Sequence, residues 1–305
     1  MCPQATNVLL VQRRAVRPSY GILWILSDRR CGNCLRSDFD EKLRAVSTSE
    51  GFLSSYFVKE IYQPSITRSN IRDVVGTAIS LGRGTNVIDS YQNCDRYTAL
   101  YGGIHFHKLY AAFSATNFPY LHAKRIEIID WGCGQALATC TLIEYLASIE
   151  VIPEISTITL VEPSNVAMER GCSLVHQVLQ ANSYGCDRIH LICKRIDSLQ
   201  IDELVSARES IKVHLLSNIL DIETFQLEGL YTLISGAFSG INRFICVSPY
   251  NRNGRLDQFH TMFSNTRHVV CCDEALHEEI FFFRTGTYKR QRINRCERQF
   301  TANLD

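Results

Sequence analysis

Asp130-Trp131-Gly132-Cys133-Gly134-Gln135 sets one carboxylate two residues ahead of a pair of glycines separated by a single residue. Glycine has no Cβ, so the pair lets the chain turn tightly and lets a ligand approach the main chain closely. Ahead of them, Ile126-Glu127-Ile128-Ile129 is dominated by β-branched residues and reads as a buried strand. Behind them, residues 136–147 contain no Gly or Pro and repeat apolar side chains at Leu142, Ile143, Leu146 and Ala147, which is helical spacing. Strand, acid, glycine turn and helix form the unit with which open α/β sheets hold ligands beyond the carboxyl ends of their strands. A carboxylate at that place suits a ligand with hydroxyls or an ammonium group and repels a pyrophosphate. A dinucleotide fingerprint also wants a third glycine at position 137, where this chain has Leu137.

The elements that must position this turn follow from the rest of the pattern. Short apolar runs at 157–162, 188–193, 212–216 and 242–247 alternate with helical stretches, as in a parallel α/β sheet. Runs at 267–272 and 279–284, joined by 273–278, read as the last two strands. Upstream, residues 51–120 are aromatic-rich and helical in pattern. One helix is expected over 70–79, capped by Ser69 or Asn70, and another from Cys94 to Phe113. On the second, Tyr101 and His105 share a face, whereas His105 and His107 do not and make a poor metal pair. Residues 1–50 carry Arg13, Arg14, Arg17, Arg29, Arg30 and Arg36 without a sustained period and read as a poorly ordered basic extension. Three regions result: 1–50, a helical cap at 51–120, and an α/β domain at 121–305.

The 305 residues are 46% hydrophobic and 21% charged, the balance of a globular chain, and the net charge of +1 gives no global attraction to nucleic acid or membrane. No apolar run approaches the ~18 residues of a spanning helix, so a cytoplasmic location without membrane contact is expected. Several of the 13 cysteines fall inside expected core elements, where Cys behaves as a small hydrophobe. Cys31-Gly32-Asn33-Cys34 supplies only half of a four-ligand zinc site, and no metal site is expected.

The arrangement Asp130-Trp131-Gly132-Cys133-Gly134-Gln135, on a strand that enters a helix, resembles the first motif of the class I S-adenosylmethionine-dependent methyltransferases, with Ala136 standing where the family usually has a further glycine. The resemblance covers roughly residues 121–305. It implies a doubly wound α/β sandwich with a mostly parallel seven-stranded sheet and an N-terminal helical cap. It implies S-adenosylmethionine as cofactor, with Asp130, Gly132, Cys133, Gly134 and Gln135 around it. Glu162, ending the second strand, would accept from the ribose hydroxyls, or else cap the turn at Ser164-Asn165. Asp197 would accept from the adenine amino group, or else cap the following helix. Asn218 would orient the methionine amino group or an acceptor nitrogen, and Asp221 would serve as a general base if burial raised its pKa; both also suit a helix cap. Ser248-Pro249-Tyr250-Asn251 follows the fifth strand and reads as a turn.

The cations Arg284, Lys289, Arg290, Arg292, Arg295 and Arg298 form either a solvated face or a surface for RNA or DNA, with Tyr288 available for stacking. Lys289, Arg290, Arg292 and Arg295 are the candidate phosphate contacts. The expected function is methyl transfer to an unidentified acceptor, nucleic acid being favoured. One alternative is a cofactor-binding module without turnover. Another is an NAD-dependent oxidoreductase, against which Asp130 and Leu137 stand.

Overall fold

Every residue of β1 (Arg125–Trp131) after the first is buried, which places this strand at the centre of the sheet. The computed structural model describes residues 52, 54–249, 253–273, 275–284 and 287–305. The readings of residues 1–50, of Tyr250-Asn251 and of the side chains of Lys289, Arg290 and Arg292 lie outside what it describes. β2 (Glu154–Val161) and β4 (Ile211–Ser217) flank β1 in parallel, β3 (Cys186–Ile192) lies outside β2, and β5 (Gly240–Pro249) lies beyond β4. β6 (Arg267–Cys272), β7 (Ala275–Arg284) and β8 (Thr287–Leu304) complete the sheet. The order is β3-β2-β1-β4-β5-β8-β6, with β7 paired only to β8. β8 is antiparallel to both β5 and β6. The fold is thus the expected doubly wound α/β sandwich, with a mixed edge.

The identity of the antiparallel strand differs from the sequence reading. Residues 279–284 belong to a hairpin, and the supposed basic tail is the 18-residue strand β8, inserted between β5 and β6. Its period-2 signal is real, since Cys296, Phe300 and Ala302 enter the core. Charged neighbours obscured it. Arg295 pairs with Glu297 at 2.8 Å, and Arg298 reaches Asp257 at 2.5 Å and Asp273 at 2.8 Å, so cations that look solvated in sequence are enclosed and neutralised.

Helices cover both faces. α5 (Leu137–Ser148) and α6 (Asn165–Ala181) share one core with Ile126, Ile128, Val213 and Leu215. α7 (Leu227–Ala237) and α8 (Asn253–Thr261) contribute to the opposite core with Ile129, Trp131, Leu216 and Phe244. Alternate residues of each strand therefore serve alternate faces.

The upstream helices are α1 (Gln63–Ser69), α2 (Val74–Ser80), α3 (Tyr91–Tyr97) and α4 (Gly103–Ser114). A π-helical stretch, Thr98–Gly102, joins α3 to α4. The cap of α2 is Asp73, which accepts from Gly76 N, rather than Ser69 or Asn70; Asn70 takes a left-handed conformation and ends α1. Phe106, Leu109 and Phe113 of α4 pack into the α5 side of the core. Glu144 of α5 accepts from the backbone of Tyr56 and Phe57, fastening the start of this helical layer. Among the described residues no helix is long and apolar enough to cross a membrane.

Candidate functional site

Strand order reverses between β1 and β4, and their carboxyl ends form the crevice where doubly wound sheets hold ligands. Gly132 (φ +61°) and Gly134 (φ +53°) turn the chain there in the left-handed region. The two glycines differ in what surrounds them. A Cβ on Gly132 would lie 2.6 Å from the Ile219 side chain, so this glycine lets the β4 loop close against the β1 loop. A Cβ on Gly134 would meet nothing within 4 Å, so the space beside it is open to a ligand. Ala136 also has a left-handed φ of +56°, at the cap position of α5. A left-handed conformation costs a non-glycine residue about 1–2 kcal/mol.

The two acids flanking the turn are both engaged. Asp130, 1% exposed, accepts at Oδ2 from Thr139 N (3.2 Å) and Thr139 Oγ1 (2.7 Å), so it ties β1 to the first turn of α5. Burial pushes its pKa up to about 7, against the pull of the two Thr139 hydrogen bonds. Glu162, at the end of β2, accepts from Gly134 N and from Ser164 N, both at 3.0 Å. It spans the two turns, combining the capping role with a place beside the glycine loop, and burial raises its pKa. Ser164 caps α6 by accepting from Ala167 N.

The helical layer closes over this ground. Gln135 is buried; its Nε2 donates to Cys94 O at 3.0 Å and its Oε1 accepts from Thr98 Oγ1 at 3.3 Å. Cys133 is buried too, its N–H bonded to Val161 O. Ser164 Oγ donates to Ile88 O, and Arg170 of α6 pairs with Asp95 of α3. Gly171 of α6 passes directly beneath the loop: a Cβ there would lie 2.9 Å from the Gln135 carbonyl carbon.

Asn218 (φ +55°) follows β4, with its N–H on Val247 O. Its Oδ1 accepts from Lys108 Nζ of α4 at 2.5 Å, and its Nδ2 donates to Ser217 Oγ. Asp221, three residues on, accepts from Ser248 Oγ at the end of β5 at 3.2 Å. Lys108 is 3% exposed, and burial lowers its pKa to about 8 although the charge of Asp221 supports the ammonium. Tyr97, Tyr101 and His105 form an aromatic row beside it, with Tyr97 and Tyr101 centroids 5.1 Å apart and Tyr101 and His105 stacked at 6.2 Å. Burial and the nearby Lys108 bring His105 down to about 3, and burial together with Glu162 raises Tyr97. Asp197 stands exposed on a short 3-10 turn after β3 and meets Ser198 Oγ at 3.5 Å.

The crevice thus brings together Asp130, Gly132, Cys133, Gly134, Gln135 and Glu162, with Asn218 and Asp221 alongside, while Asp197 lies on a separate turn. Sequence reasoning missed Lys108 and Gly171. Lys108 lies seven residues beyond Tyr101 and three beyond His105, on the same helical face, and Gly171 interrupts an otherwise regular 17-residue helix; both signals are present in the sequence. Arg295, a candidate phosphate contact, is buried against Glu297. None of the described cysteines forms a disulfide, and among the described residues no cluster of His, Cys, Asp and Glu could hold a metal ion.

No protein-family model matches the sequence, and no curated protein matches it. Solved structures do share parts of the architecture. Precorrin-6y C5,15-methyltransferase from Geobacter metallireducens is 10% identical over 64% of this chain and 88% of its own, with a TM-score of 0.39. A SAM-dependent O-methyltransferase from Thermotoga maritima is 11% identical over 77% and 72%, with a TM-score of 0.38. A TehB-like SAM-dependent methyltransferase from Corynebacterium glutamicum is 12% identical over 75% and 96%, with a TM-score of 0.37. Likenesses this distant name no family, and the strand order and the crevice carry the reading of the site.

Proposed function

We propose that this chain binds S-adenosylmethionine in the crevice at the carboxyl ends of β1, β2 and β4 and transfers its methyl group to an acceptor that enters beside α4. The observation that carries the reading is the pairing of open space at Gly134 with the carboxylate of Glu162, which bonds that same residue's N–H. A nucleoside with free ribose hydroxyls fits such a pair, since a carboxylate accepts from both hydroxyls. Glu162 would hold the ribose, Gly132 to Gln135 would border the methionine portion, and Asp197 would meet the adenine. The bound cofactor supplies an electrophilic methyl on a sulfonium, so the chain's own work is alignment, exclusion of water and removal of a proton from the acceptor.

A nicotinamide dinucleotide fits poorly. Its pyrophosphate would need the amide donors at the amino end of α5, and Asp130 already occupies Thr139 N there with an acidic group. A cofactor-binding module without turnover is the second reading. Ala136, in the left-handed conformation where the resembled motif usually has a glycine, favours it.

For the acceptor we retain nucleic acid as the first candidate, through Lys289, Arg290 and Arg292; the buried Arg295 drops out of that surface. Calorimetry with S-adenosylmethionine, S-adenosylhomocysteine and NAD tests the cofactor. Binding of the first two and not the third supports the proposal, and binding of NAD alone defeats it. Release of S-adenosylhomocysteine in cell extract then separates an enzyme from a binding module.

A further inference from the structure

We infer that Lys108 is the proton acceptor of this site, held by Asn218 in the field of Asp221 so that its Nζ receives the proton of an acceptor hydroxyl or N–H group. The inference rests on the proposed methyl transfer and specifies the chemistry of its acceptor. Three observations point to it independently. First, the amine is enclosed, 3% exposed, and it donates to a neutral amide oxygen, Asn218 Oδ1 at 2.5 Å. A buried ammonium is ordinarily matched by a carboxylate, and among the described residues none forms an ion pair with Nζ. Asp221 acts through its charge while its Oδ1 accepts from Ser248 Oγ.

Second, the elements are arranged to bring this one side chain to the crevice. The π-helical stretch Thr98–Gly102 immediately precedes α4, and such stretches are frequent at functional sites. That face carries Tyr101, His105 and Lys108. Third, Lys108 is coupled to the glycine loop. Asn218 holds it, and the adjacent Ile219 rests on Gly132, where even one added carbon would collide. The amine therefore stands beside the loop at the carboxyl end of β4 that closes on the glycine turn.

The groups facing Nζ are His105 on its own helix, Asp221 after β4 and Cys296 on β8; Tyr97, from α3, senses the same Asp221. His105 is neutral at physiological pH, and Asp221 is the anion that opposes complete loss of the proton. With a pKa lowered to about 8, a sizeable neutral fraction exists near neutrality, which an exposed lysine near ~10.4 does not offer. In the reaction the acceptor's lone pair forms a bond to the methyl carbon. The carbon–sulfur bond breaks with its electron pair passing to sulfur, and the acceptor's proton passes to neutral Nζ. Charge balances, because the positive charge lost at sulfur appears on the lysine. Acceptors that attack without losing a proton, such as a thioether, gain nothing from this arrangement.

The test is a nitrogen-15 NMR titration of lysine side chains in the full chain with S-adenosylhomocysteine bound. The Lys108 Nζ should lose its proton near pH 8, below the exposed lysines near ~10.4 and told apart from the buried Lys212, which burial also lowers, by its response to Asp221→Asn, which should lower its midpoint further. Lys108→Met should remove this signal. With tritiated methyl-S-adenosylmethionine and cell extract, Lys108→Met should cut transfer by about 10²-fold or more, while S-adenosylmethionine affinity stays within about twofold. If Lys108→Met does not fold, the wild-type titration and the Asp221→Asn displacement still decide. All lysines titrating near ~10.4, or undiminished transfer by Lys108→Met, overturns the inference while leaving the proposed function in place. Failure of wild-type protein to bind S-adenosylmethionine overturns both.

Discussion

Replacing Asp130 by Asn should stabilise the protein relative to wild type by an amount that grows as pH rises from about 4 to about 7 and is constant above that. Asp130 is fully enclosed, and burial raises its pKa from 3.8 to about 7. The folded state therefore holds a proton that the unfolded state has released anywhere between those two values. Stability falls as pH rises across that window, because the unfolded chain binds fewer protons, and it levels off above about 7. Three pH units at ~1.4 kcal/mol each give a ceiling of about 4 kcal/mol. Asn carries no titrating proton, yet its one oxygen can accept both Thr139 donors. Subtracting wild-type from Asp130→Asn stabilities cancels the other buried acids, Glu144, Glu162 and Glu297, whose pKa values are also raised. Urea denaturation of both proteins at several pH values from 4 to 8 supplies the difference. It should rise by about 2–4 kcal/mol toward Asn. A difference that is flat with pH would show that Asp130 ionises as a solvated carboxylate and that its burial has no energetic consequence.

The same pair of proteins asks how Asp130 serves the ligand. Its observed partner is the start of α5. Asp130→Asn should therefore keep S-adenosylmethionine affinity within a few fold, while Asp130→Ala should lose it with little change in far-UV circular dichroism.

Gly171→Ala should abolish cofactor binding and lower the melting temperature, because its Cβ would press on the main chain of Gln135 and Ala136; wild-type affinity would show that the loop yields freely. Glu162→Gln leaves one acceptor oxygen for two backbone donors, Gly134 N and Ser164 N, and hydrogen bonds to charged acceptors are worth roughly 1.5–3 kcal/mol. Calorimetry should show about a tenfold loss or more of cofactor affinity. Replacing Lys289, Arg290 and Arg292 with Ser should flatten the salt dependence of single-stranded RNA binding by up to roughly 2 in log–log slope, and absence of RNA binding at low salt removes nucleic acid as acceptor. Arg295→Ser should instead cost roughly 3–5 kcal/mol of stability, because it strands Glu297 in the core; a melting temperature equal to wild type would contradict that burial.

The parts of this molecule that were legible in sequence are those whose causes are local. A run of β-branched residues, two glycines and a helical period identify β1, its turn and α5 without reference to anything distant. Glu162 was legible because it ends the next strand. β8 was not, because its charges find partners far along the chain: Arg298 takes Asp257 and Asp273, and nothing in the spacing of 295–298 announces them. Lys108 escaped notice for a related reason. An aromatic helix with one lysine looks like a packed helix with a solvated edge until Asn218, 110 residues later, is brought to 2.5 Å. The left-handed Ala136 shows the reverse case. Its departure from glycine was visible, and the structure adds that the backbone keeps the left-handed geometry regardless.

The helical layer and the crevice are joined mainly by polar contacts at individual points. Gln135 reaches Cys94 and Thr98, Ser164 reaches Ile88, Arg170 reaches Asp95, and Lys108 reaches Asn218. The apolar cluster under α3 is small, consisting of Ile88, Cys94 and Ala167 with Tyr97 and Val166 against it. By contrast, α4 is seated in the large core with α5. Opening α3 and the segment before it therefore exposes little apolar surface, at ~25 cal/mol per Å², while opening α4 would expose much. Of the two helices beside the crevice α3 is thus the more lightly seated by apolar contact, and Lys108 lies on the firmly seated α4.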